Sequence, residues 1–184
     1  MALNLKHAVA VVDLATRQFK SVPVGSYPYT VVAAGAKMYV SNWGGRRPGP
    51  TDTTDGTFPV VLDPRTGIPA SGTVSVLDSS GTVLRHIDVG LHPSGMAASL
   101  KGDKVYVANA NSDTVSAIDT ESDRVTGTLN VRLFRVAPLG SAPNALALSR
   151  DGETLYIHPS KSSQRNIRRR IKSFTKRRAP IRPA

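Results

Sequence analysis

Three segments of the chain share one grammar, and a repeat of this period leaves few folds open. They are VGSYPYTVVAAGAKMYVSN at 24–42, VGLHPSGMAASLKGDKVYVAN at 89–109 and GSAPNALALSRDGETLYI at 140–157. Each reads Gly, two residues, Pro, an apolar stretch, a Gly-containing turn and an apolar-Tyr-apolar strand. A second element recurs at 8–24, 72–89 and 113–131. It is an alternating apolar strand closed by Asp13, Asp78 or Asp119, then a polar turn and another short strand. Short alternating runs between turn residues are the pattern of β-strands.

The spacings fix the unit. Asp78 and Asp119 are 41 residues apart, Asp13 and Asp78 are 65 apart, and Pro93 and Pro143 are 50 apart. A unit of about 41 residues therefore carries one insertion of 24 and one of nine. Four short strands in such a unit make a propeller blade. With strands a to d in each blade, the chain reads c–d, then a–d twice, then a–b, which is 12 strands. The fold class expected is all-β: an incomplete β-propeller of about three blade-equivalents over 1–157. Closed propellers have about four to eight blades. The chain thus reads as a fragment of a longer propeller, with a frameshift near Ile157. A short protein that self-associates through its open half-blades is the alternative.

The segment KVYVANANSDTVSAIDTESDRVTGTLNV, residues 104–131, resembles the YVTN-repeat β-propeller family, with its surface-layer-type and lactonase-like relatives. YVSNWGGRRPGP and VLDPRTGIPASGTVSVLD resemble the branch in which a propeller precedes a phosphoesterase domain. The resemblance covers residues 8–157. It implies a propeller whose relatives are often exported or on the cell surface. The phosphoesterase domain itself would lie beyond residue 184, so no phosphatase activity carries over.

Strand topology places both insertions on one face. In an antiparallel blade the b–c and d–a connections share a face, and the insertions fall in one of each. Loops on a rigid scaffold are where binding is built. The larger insertion, 43–71, holds five Gly and five Pro, with Trp43, Arg46 and Arg47 at its start. It either forms a lip with arginines open to anionic groups or simply covers the neighbouring blade with Trp43 packed. His92, Asn144 and Tyr29 flank the repeat prolines at the entry to strand a, the innermost strand. They are candidates for ligand contact at the channel mouth, or turn residues only. Trp43, Arg46, Arg47, His92 and Asn144 are the ligand-binding candidates.

Other constellations are weaker. Asn109, Asn111 and Asp113 alternate like calcium ligands but lack the following Gly and the distant Glu, and read as a turn. Tyr39, Tyr106 and Tyr156 read as packing between blades, and the three strand-closing aspartates as turn caps. The four histidines have no paired-ligand spacing and Ser94 lacks a nucleophile-elbow setting. No catalytic residue, metal site or cofactor is expected. With no Cys there is no disulfide or thiolate chemistry. No apolar run is long enough to span a membrane, and the N-terminal residues do not read as a secretory signal.

Charge separates the last segment from the rest. Residues 158–184 carry ten basic and no acidic residues, whereas 1–157 carry 14 basic and 13 acidic. This tail is expected to be disordered or partly helical. It would attract nucleic acid weakly and non-specifically, since Phe174 is its one aromatic residue. The function expected is a non-catalytic scaffold binding an unidentified protein or small molecule. A lactonase-like or phosphoesterase-linked enzyme is the alternative, and incidental nucleic-acid binding by the tail is the third.

Overall fold

A computed structural model describes residues 1–132, 142–159 and 167–170. Among these, fourteen strands form four antiparallel sheets. The first sheet holds β1 (Ala2–Leu3), β2 (Ala8–Val12) and β3 (Phe19–Pro23). The second holds β4 (Ser26–Ala34), β5 (Lys37–Gly45), β6 (Thr73–Leu77) and β7 (Val83–Asp88). The third holds β8 (Pro93–Ala98), β9 (Lys104–Asn109), β10 (Thr114–Asp119) and β11 (Arg124–Asn130). The fourth holds β12 (Pro143–Leu148), β13 (Thr154–Pro159) and β14 (Ile167–Arg170). Each sheet packs on the next, in chain order, as an incomplete β-propeller.

The register repeats with the sequence. Pro28 pairs with Asn42, Pro93 with Asn109 and Pro143 with Pro159, each across an a–b pair. Two strands exceed the expected twelve. β1 is a two-residue piece of a b strand on β2. β14 lies inside the basic segment and pairs with β13 from Ile157↔Ile167 to Thr154↔Arg170. Three of its four residues are Arg, so apolar alternation gave no sign of it. The rest of the basic segment after Pro159, and residues 133–141 with most of the smaller insertion, lie outside the described residues.

The core sits between sheets rather than within one. Neighbours cover both faces of the central strands, so β6 buries all five of its residues and loses the alternation of a half-exposed strand. Along β5, Val40 packs back towards the first sheet and Tyr39 forward onto the third. Along β9, Val105 and Val107 pack back and Tyr106 packs forward onto the fourth. Burying each such side chain contributes about 1.5–3 kcal/mol. Tyr156 holds the same place on β13 and is 41% exposed, because no described sheet follows the fourth.

Polar links repeat as well. Asn42 is fully buried, and its amide Nδ2 donates to Thr73 Oγ1 (3.1 Å) and Ser75 Oγ (2.8 Å). Asn109 donates likewise to Thr114 Oγ1 (3.0 Å) and Ser116 Oγ (2.9 Å). Each joins strand b to strand c. The three strand-closing aspartates cap their turns. Asp13 Oδ1 accepts from the Thr16 and Ala15 amides, Asp78 Oδ1 from the Ser80 hydroxyl and the Thr82 amide, and Asp119 Oδ1 from the Ser122 amide. These bonds hold all three carboxyls below the ordinary range.

Candidate functional site

The connection between β5 and β6 carries the larger insertion, and turns hold it in shape. Asp55 Oδ1 accepts from the Thr57 (2.9 Å) and Phe58 (2.8 Å) amides. Asp63 Oδ1 accepts from the Arg65 amide at 2.8 Å, and Leu62 bridges to Pro69. The guanidinium of Arg46 grips Asp52 with two bonds of 2.6 Å. That pair, with the Gly49 amide, draws the Asp52 carboxyl down to about 2. Arg47 donates to the carbonyls of Val24 (3.0 Å) and His7 (2.7 Å), tying the loop to the first sheet. Both arginines therefore hold the loop in place.

The residues before the repeat prolines have a special conformation. Tyr27, His92 and Ala142 have φ of 53°, 59° and 44°. Left-handed backbone is uncommon for residues other than Gly, and here it recurs at one position of three repeats. The twist turns the Tyr27 and His92 side chains into the same space. Tyr27 is held there by its amide, which donates to His7 Nδ1 (3.0 Å), and by its ring, edge-on to His7. His7 Nδ1 is thus an acceptor, which fits a pKa lowered by burial and by Arg47.

Trp43 meets His92 edge to face, with ring centroids 3.8 Å apart. Tyr27 and Phe58 lie 6.4 Å apart, tilted by 57°. The two ring pairs, with Asp55, Val60 and Leu62, line an open cavity of about 490 Å³. Burial pushes the His92 imidazole down to about 4, so it is neutral at physiological pH. Gly44 forms part of the wall, where a Cβ would lie 2.9 Å from the Tyr27 ring.

Of the residues singled out from sequence, Trp43 and His92 meet in this cavity. Arg46 and Arg47 brace the loop beside it and do not line it. Asn144 lies on β12 beside β8, where its carbonyl would be 2.2 Å from a Cβ on Gly95, and is also outside the lining. Tyr27, Asp55 and Phe58 were missed. Aligning the repeats on proline puts Tyr27, rather than Tyr29, in register with His92, so that signal was present. Asp55 and Phe58 come from an aperiodic loop that gives none. Among the described residues no cluster of His, Cys, Asp or Glu is arranged to hold a metal. No described helix is long and apolar enough to cross a membrane.

No family model and no curated protein matches the chain. Solved structures do. Hydrazine synthase from Kuenenia stuttgartiensis superposes with a TM-score of 0.67 at 22% identity, covering 92% of this chain and 41% of that one. A streptogramin B lyase superposes at 0.57 with 11% identity, covering 91% and 49%. A protein of unknown function from Desulfotomaculum acetoxidans superposes at 0.53 with 12% identity, covering 82% and 41%. The chain spans less than half the length of each. At these identities the likeness is one of fold, and the fold is that of part of a β-propeller.

Proposed function

We propose that the chain is part of a YVTN-type propeller and acts as a binding module rather than an enzyme. Its site is the aromatic cavity under the 43–71 insertion. One observation carries this reading: the insertion and two equivalent pre-proline residues, from consecutive sheets, converge on a single concave space. Concave, mostly apolar walls with a few polar groups are the usual form of a small-molecule site. The polar lining suits holding better than chemistry. Asp55 is engaged by two backbone amides, and His92 lies against an indole. The lining includes no Ser, Thr or Lys to act as a nucleophile. The repeated b-strand Tyr and Asn, and the capped c strands, support the YVTN reading.

Trp43 is the one tryptophan of the chain, so its emission reports on this cavity. A saturable change in that emission on adding small aromatic or aliphatic ligands to the full chain is the expected result, lost in Phe58→Ala, which keeps the reporter. Turnover of a lactone or phosphate ester by the purified chain, abolished by His92→Ala, would overturn the reading.

A further inference from the structure

The cavity combines aromatic faces with one carboxylate. Trp43 and Phe58 leave 41% and 55% of their surface exposed, although large rings are ordinarily packed. The negative faces of aromatic rings attract cations, most strongly where several rings surround a desolvated site. The charges agree. Both amide bonds to Asp55 end on Oδ1 and keep the carboxyl below its ordinary range, so it is ionised. No lysine or arginine lines the space, and His92 is neutral there. Of the loop's cations, Arg46 is paired with Asp52 and Arg47 is bound to backbone carbonyls. Sugars and anions fit poorly, because the walls offer few hydrogen-bond donors and no positive charge.

Resting on the binding-module reading, we infer that the cavity takes an alkylated ammonium group, held against the rings of Tyr27, Trp43, Phe58 and His92 with Asp55 as its counter-charge. The group belongs either to a free small amine or to a methylated lysine of a peptide. About 490 Å³ accommodates either.

The test is titration of the full chain, followed by Trp43 emission, with choline, with its neutral isostere 3,3-dimethylbutanol and with a trimethyllysine peptide. Choline should bind roughly tenfold more tightly than the isostere, the scale of a partly desolvated cation–π contact. Asp55→Asn should reduce that preference by the share its charge supplies, leaving the share of the rings, while keeping the turn, because the amide oxygen accepts the same two bonds. Tighter binding of the peptide than of choline would assign the source as a protein, and the reverse would assign a small amine. If the isostere binds as well as choline, the cation assignment fails and the binding-module reading stands. If neither probes nor peptide bind and an apolar dye leaves Trp43 unchanged, both fail.

Discussion

The Tyr39 phenol donates a 2.7 Å hydrogen bond to Asp123 Oδ1, which joins the second sheet to the turn closing the third. Lys37 Nζ reaches the other carboxylate oxygen at 2.8 Å and also donates to the Thr120 carbonyl. Asp123 is 8% exposed, and these two side chains are hydrogen-bonded to its two oxygens. Burial, then the carboxylate, pushes the Tyr39 phenol upward and keeps it a donor. Tyr39→Phe should cost about 1.5–3 kcal/mol, as for a hydrogen bond to a charged group. Asp123→Ala should cost about 2–4 kcal/mol, because it strands both a hydroxyl and an ammonium. Urea denaturation of the single variants and the double variant gives the coupling. A cost below about 0.5 kcal/mol for Tyr39→Phe would mean that the hydroxyl does not link the sheets.

Gly90 and Asn109 form a second unit, and Gly25 and Asn42 repeat it. A Cβ on Gly90 would lie 2.7 Å from both Cβ and Cγ of Asn109; on Gly25 it would lie 2.6 Å from Asn42 Cγ. Glycine is required here because the buried amide occupies the space. Gly90→Ala should destabilise by about 1–3 kcal/mol, the usual range for overpacking. Asn109→Gly should cost about 1.5–4 kcal/mol, through its two lost hydrogen bonds and the added backbone freedom of glycine, and it also removes the Cβ that would meet the new methyl. The double variant should cost clearly less than the sum, since the added methyl enters the vacated space. Additive costs in denaturant unfolding would show that contact with Asn109 is not what excludes the methyl.

These two units show where the sequence was informative. Strand-closing aspartates and inter-sheet tyrosines are local signals repeated at a fixed period, and each has a local physical role, whereas Asn109, read as a turn residue, is the buried end of β9 and bonds strand c. Period fails where the chain leaves the repeat. Asp52 finds Arg46 and Phe58 finds Tyr27 through the path of an irregular loop, and no alternation encodes that path. β14 depends on backbone pairing with β13 and has no apolar pattern of its own. Trp43 and His92 could be singled out, but their 3.8 Å contact depends on the left-handed backbone at His92.

That backbone also makes the site sensitive to acid. His92 is held near 4 in the folded chain, whereas an unfolded histidine titrates near 6.5. Its contribution is complete above about 6.5. As pH falls from there towards 4, the unfolded chain takes up a proton that the folded chain refuses, so stability declines. His7 and His86 are lowered too, mainly by burial, and act in the same direction. The turn-capping aspartates act in a separate, lower window. Their folded carboxyls are the more acidic, so their support is present above about 3.8 and is lost as pH falls further. His92→Tyr copies Tyr27, which already occupies the equivalent left-handed position. Urea midpoints measured from pH 7.5 to 4 should fall less steeply for His92→Tyr than for the parent chain. An unchanged slope would show that His92 titrates normally and that the Trp43 ring does not keep it dry.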